Sequence, residues 1–201
     1  VGAVLHRARE LAIQAANGTN TQDDAAKISS EIAQLRKQMV HLANSTHSGR
    51  YLFSGFKTDQ SFIDETTGQF NMDVGNDENI KFEIGIGDNI DVNVTGGDLF
   101  NDATDATAGN TASLIQVFDD YIVALGNNDT TGINTAIEEI TEGQNNLLRI
   151  KADVGARYNR LELTANRLEN DELNFTKLMS LNEDVDMAET IMHLQNEENI
   201  Y

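Results

Sequence analysis

Residues 133–179 read INTAIEEITEGQNNLLRIKADVGARYNRLELTANRLENDELNFTKLM. Within them, Ile133, Ile137, Ile140, Gln144, Leu147, Lys151, Val154, Tyr158, Leu161, Ala165, Leu168, Glu172, Phe175 and Met179 alternate at spacings of four and three. That is a heptad seam, interrupted at Gln144, Lys151 and Glu172, which keeps one helix face against a partner. The spacing predicts a single helix over about 130–181. At about 1.5 Å per residue it would be of order 75 Å long, a rod. The chain contains no proline, so nothing of that kind breaks it. A seam of this length is expected to be core, and Leu161→Asp would then lower the melting temperature sharply.

Outward from this seam, the N-terminal flank reads as two helices. Val1, Val4, Leu5, Ala8, Leu11, Ala12 and Ala15 share a face, and Asn17-Gly18 is a left-handed stop signal. Val1 is already in helical phase, which suggests a start inside a longer helix. Thr21 offers an N-cap with Asp23 and Asp24 in the first turn. Ile28, Ile32, Leu35, Met39 and Leu42 form a second seam, expected to lie along the 130–181 helix. On the C-terminal side, a helix is expected over about 111–126, ending at Gly126-Asn127-Asn128. Asn182 could cap a final helix whose face is Val185, Ala188, Ile191 and Leu194 or Gln195.

Between these flanks, residues 51–110 hold eight of the fifteen glycines and a net charge of −10. Phe70, Met72 and Val74 alternate, as do Ile80, Phe82, Ile84 and Ile86, and again Ile90, Val92 and Val94. Three short strands in one antiparallel sheet are expected, with 51–53 as a candidate fourth. Residues 95–110 read as loop, plugged by Leu99-Phe100. The fold class is therefore α+β: a helical coiled-coil rod from 1–49 and 111–201, with 50–110 as an inserted β-rich domain whose residues 60–106 are expected to be replaceable by a short Gly/Ser link.

Charge and composition narrow the function. Lys and Arg number 14 against 33 Asp and Glu, a net charge of −19. This opposes nucleic-acid binding and docking on an anionic membrane. No apolar run reaches the roughly 18 residues of a membrane span. There is no cysteine, hence no disulfide or thiolate chemistry. His6, His41, His47 and His193 stand in no metal-ligand spacing, and the acidic run Asp88 to Asp105 lacks the regular spacing of a calcium loop. Glu138/Glu139 and Glu197/Glu198 are adjacent on helices and cannot face one substrate. Neither catalytic residues, metal ligands nor a cofactor site are expected.

Three runs carry a family resemblance. Leu42-Ala43-Asn44-Ser45-Thr46-His47-Ser48-Gly49-Arg50-Tyr51-Leu52-Phe53-Ser54-Gly55 resembles the "LANT…GRYLFSG" stretch of the flagellar hook–filament junction proteins, the third hook-associated proteins of the flagellin superfamily. Arg7-Ala8-Arg9-Glu10-Leu11 through Asn17-Gly18 is similar to the "RARELAVQAANGT" run of that superfamily. Asp184, Asp186, Met187 and Ala188 fall in a run that looks like its C-terminal "EDVDMAE".

The resemblance implies a structural, non-enzymatic component of the extracellular bacterial flagellum, exported by the flagellar type III apparatus without a cleaved signal peptide. It implies terminal helices beyond this chain. It also implies copies arranged in a ring that joins the hook, through another hook-associated protein, to flagellin. A flagellin filament subunit is the alternative reading; an acidic binding module without an axial role is a third.

Overall fold

The computed structural model describes residues 1–17, 21–85, 87–183 and 187–199. Helices α1 (Gly2–Ala16) and α2 (Gln22–Ala43) lead into strands β1 (Thr46–His47) and β2 (Arg50–Tyr51). Strands β3 (Lys81–Gly85) and β4 (Asp88–Asp91) follow, then helices α3 (Gly96–Phe100), α4 (Ser113–Asn127), α5 (Thr130–Glu183) and α6 (Met187–Glu198). Residues Val1–Gly155 form one compact unit and Ala156–Tyr201 another.

The helix starts and stops follow local chemistry. Thr21 and Asp24 close a reciprocal capping box: the Asp24 amide donates to Thr21 Oγ1 and the Thr21 amide donates to Asp24 Oδ2. Hydrogen bonding by the Thr21 side chain, then by Lys27, holds the Asp24 carboxyl below its ordinary pKa. α4 ends at Asn128 in the left-handed conformation, φ 51°.

In the first unit, α2 packs chiefly against α4 and α1. This corrects the expected pairing of α2 with the long helix. Arg36 of α2 donates through Nε and Nη2 to both carboxylate oxygens of Asp119 on α4, at 2.6 and 3.0 Å. Its guanidinium also reaches the Thr67 carbonyl, at 3.1 Å. Arg36 is mostly buried at its side chain, so this planar two-point pair is worth more than a surface ion pair. α5 enters the same core from another side. A Cβ built at Gly143 would stand 2.9 Å from Leu114 of α4, and one built at Gly2 of α1 would stand 3.2 Å from Leu147. Ile133, Ala136, Ile140 and Ile150 of α5 are buried.

The middle segment differs from its expected layout. β3 pairs only with β4, and β1 with β2, giving two two-stranded antiparallel sheets. Residues 69–74 make single bridges to Ile63, Thr111 and Ala106 in place of a strand. Phe70, Met72 and Val74 are nevertheless buried, so the alternation marked burial correctly and pairing incorrectly. Residues 96–100, expected as loop, are the short helix α3. Its Leu99 and Phe100 are buried as the expected plug. Phe62, Phe70, Val74 and Phe100 belong to the same hydrophobic cluster as Leu5, Ile32, Phe118 and Ile140. The Phe62 and Phe70 rings lie 5.1 Å apart. Cutting out residues 60–106 would therefore remove core residues, so such a deletion reads stability as well as assembly.

Tyr121 of α4 is fully buried, and its hydroxyl has no hydrogen-bond partner among the described protein groups. Burial pushes its pKa far up. Tyr121→Phe removes a desolvated polar group without a cavity, so urea unfolding should show stability unchanged or raised by up to about 1 kcal/mol. A loss above about 1 kcal/mol would mean that the hydroxyl is hydrogen-bonded in solution.

Candidate interaction surface and the junction motif

The run Leu42–Gly55 connects α2 to the middle segment, and its residues are used in making that connection. Ala43 is fully buried at the end of α2. Asn44 forms a two-way clamp with Ile63: its amide Nδ2 donates to the Ile63 carbonyl at 2.7 Å, and the Ile63 amide donates to Asn44 Oδ1 at 3.0 Å. One side chain thus imitates a strand partner and replaces two waters at a half-buried point. Leu42 is half-buried, and its carbonyl accepts from the Ser45 hydroxyl.

Ser48 and Gly49 both have positive φ, 52° and 76°, between β1 and β2. Two successive positive values make a type I′ hairpin turn, which is why glycine stands at position 49. Arg50 is exposed beside it. The Tyr51 amide donates to the Thr58 carbonyl, and Phe53 packs edge-on against Phe100 at 5.3 Å.

Gly55 closes the run at φ 57°, where an added Cβ would meet Glu78 Oε2 at 2.5 Å. The Glu78 carboxylate accepts from the Phe56 and Gly75 amides. Glu78 and Arg36 were not singled out from the sequence. Nothing in a lone Glu or Arg reveals which distant amide or carboxylate it will meet.

The other motif residues are placed as follows. On α1, Leu11 is buried, Glu10 binds Arg7 at 3.1 Å, and Arg9 is half-buried with Nε shielded from solvent. Asn17 is the C-cap of α1 with φ −68°, and Gly18, which would carry the expected left-handed stop, lies outside the described residues. Gly18, Asp184 and Asp186 lie outside the described residues. Met187 and Ala188 open α6, with their side chains outside the description. α5 continues through Asn182 to Glu183, so the cap expected at Asn182 is instead a helical residue of α5.

The larger correction concerns the seam of α5. Burial ends at Ile150 among its described residues. In the second unit Tyr158 is 67% exposed, Leu168 54%, Phe175 66% and Met179 58%. Leu161, expected in the core, is 37% exposed. These positions keep the 4-3 register of a packing face and are left exposed by the described residues. Leu163, Leu173, Leu178 and Leu181, off the seam, are exposed as well. A run of exposed apolar side chains on this scale makes the face a candidate interaction surface. Ile191, Met192 and Leu194 expose a second, smaller patch on α6.

Among the described residues, no group of three or more His, Asp or Glu is arranged to hold a metal ion, and no helix is long and apolar enough to cross a membrane.

Two substitutions separate core from surface on one seam. Ile140→Asp buries an unpaired charge and should cost at least about 3 kcal/mol. Leu161→Asp should shift the melting temperature by no more than about 2 °C, the range of surface changes in a chain of this size. Equal, large losses would show that Leu161 is core.

The known proteins that this chain is similar to agree with the motif. Residues 1–58 match the family model of the bacterial flagellin N-terminal helical region. The chain is 31% identical over 209 residues to flagellar hook-associated protein 3 of Escherichia coli (strain K12), covering 95% of this chain and 65% of that protein. It is 32% identical to the flagellin of Bacillus subtilis (strain 168), covering 92% and 61%. It thus spans somewhat less than two thirds of these relatives. The crystal structure of flagellar hook-associated protein 3 from Legionella pneumophila shares the fold, with a TM-score of 0.75 at 17% identity over 92% of this chain and 89% of that one. The chain is thus similar along both helical flanks to hook-associated protein 3 and to flagellin, its residues 1–58 match the flagellin N-terminal helical region, and its fold is that of a hook-associated protein 3 structure.

Proposed function

We propose that this chain is the helical body of a hook–filament junction subunit: a structural, non-enzymatic adaptor that joins flagellin to another hook-associated protein. Copies sit side by side in a ring, in the extracellular part of the flagellum. Export follows the flagellar type III route without a cleaved signal peptide. Residues 1–49 and 111–201 supply the axial helices, and 50–110 are the insertion at the outer radius, where solvent screens its charge of −9.

The observation that carries this reading is the uncovered seam of α5. Tyr158, Leu168, Phe175 and Met179 preserve coiled-coil register on a face that the described residues leave exposed. A monomeric acidic binding module has no use for such a face, whereas a subunit packed among other helices does. The family resemblance and the shared fold with junction proteins support the same conclusion.

The test is complementation. A flagellated strain lacking its junction protein, supplied with the full-length protein, should regain swimming. Leu168→Glu/Phe175→Glu should be exported yet fail to restore motility, while melting as the parent does. Full motility with this pair would show that the face is not an assembly surface. Long filaments of the protein grown without any flagellin would favour the flagellin reading.

A further inference from the structure

The hairpin of β3 and β4 leaves one edge of its sheet open. The Val92 amide donates to the Ile80 carbonyl at 3.0 Å, so Ile80 and Val92 form a hydrogen-bonded pair of the antiparallel ladder. Bonded and non-bonded pairs alternate along such a ladder. Phe82 opposite Ile90 is therefore the next bonded pair, and the peptide groups of Lys81 and Glu83 point away from β4. Among the described residues, no strand lies on that side. Lys81, Phe82 and Glu83 are all exposed, Phe82 to 59%. The strand β4 differs: it carries Asp88 and Asp91 and no cation.

Residues 80–84 read Ile-Lys-Phe-Glu-Ile, a run that complements itself when reversed. A second β3 can be laid antiparallel on the open edge, with Phe82 facing Phe82 of the partner subunit. The outward peptide groups of Lys81 then meet those of the partner's Glu83, and those of Glu83 meet the partner's Lys81. Each of these two pairs also sets a cation against a carboxylate. Glu83 already accepts from the Gly87 amide through Oε1, at 3.1 Å, and its other oxygen remains for a lysine. On the opposite face the two Phe82 rings meet beside Ile80 and Val92. Centring the pair on Lys81 or on Glu83 instead would set like charges opposite each other, so one register is selected. A lone lysine on an open edge keeps other chains away. Lys81 with Glu83 two residues on admits one partner, the same edge of another copy. The register shift between Glu83 and Gly85 limits regular pairing to the start of β3, so the contact is small and weak.

We propose that β3 is a self-complementary docking edge, joining two copies of this chain by two-fold antiparallel pairing centred on Phe82. The contact is isologous, so it closes at a dimer. It turns the two copies in opposite directions, whereas copies in a ring all point one way. The dimer therefore forms between copies outside the ring proposed above and does not rest on that reading.

The chain has no cysteine, so Phe82→Cys tests the register directly. Facing residues of a non-bonded pair have Cα atoms about 4.5 Å apart, within disulfide reach. Under mild oxidation Phe82→Cys should form a covalent dimer much faster than Val92→Cys, an exposed position off the edge. Sedimentation velocity of the wild type should show a monomer–dimer equilibrium at high concentration. Lys81→Glu should weaken it by roughly tenfold or more, because two opposite-charge pairs become like-charge pairs. Glu83→Lys should do the same. An equimolar mixture of these two variants should associate, since each supplies the charge that the other lacks, and Lys81→Glu/Glu83→Lys should regain the wild-type dimer. Melting curves matching the wild type establish folding; Phe82→Cys, which leaves both charges in place, decides the matter if Glu83→Lys disturbs the turn at Gly87. Three results would overturn the proposal: a wild type monomeric up to millimolar concentration, a dimer that Lys81→Glu leaves intact, or cross-linking of Phe82→Cys no faster than that of Val92→Cys. Association lost in Leu168→Glu/Phe175→Glu and kept in Lys81→Glu would overturn it too, by placing the contact on α5. Complementation by the full-length protein tests the junction reading separately.

Discussion

A helix can bury only as much of its seam as its neighbours are long enough to cover. α1 and α4 have 15 residues each and α2 has 22, whereas α5 has 54. The core accordingly closes around Ile133, Ile140 and Ile150, and the same heptad register continues past them onto exposed positions. From this limit follow the buried half of the seam, the exposed half, and the assignment of the exposed half to assembly. The Arg36–Asp119 pair and the capping box at Thr21 hold the short helices in place.

The helices were legible because their signals are local. Thr21 with Asp24, the Gly126-Asn127-Asn128 stop and the 4-3 spacing each act within a few residues. Which helix meets which was not legible. Ile28, Ile32 and Met39 show a face that needs a partner, and both α4 and α5 offer apolar faces; packing geometry selected α4. Alternation at Phe70, Met72 and Val74 reported burial. Strand pairing depends on backbone partners that side-chain order does not encode, and here those partners are single bridges. Exposure of Tyr158 to Met179 was hidden for a similar reason: an assembly face and a core face have the same heptad pattern.

The family motif is the most instructive region. Asn44, Gly49 and Gly55 are recognisable in sequence as a signature, and each has a structural task where α2 hands over to the middle segment. Asn44 clamps Ile63, Gly49 completes the I′ turn, and Gly55 makes room for Glu78. Their recurrence in a resemblance therefore reflects how the insertion is attached and does not by itself mark a contact with a partner. The surface proposed for assembly lies elsewhere, on the exposed part of the α5 seam.

The central claim is that burial on α5 stops near Ile150 although its sequence pattern does not. Hydrogen–deuterium exchange of the isolated chain, resolved by peptide, measures this directly. Amides at 133–150 should exchange only through global unfolding, whereas those at 158–179 should exchange faster, through local opening of a helix without tertiary cover. Addition of an assembly partner should slow only the second set. Uniform protection from 133 to 179 in the isolated chain would contradict the account, because it would mean that the whole seam is core.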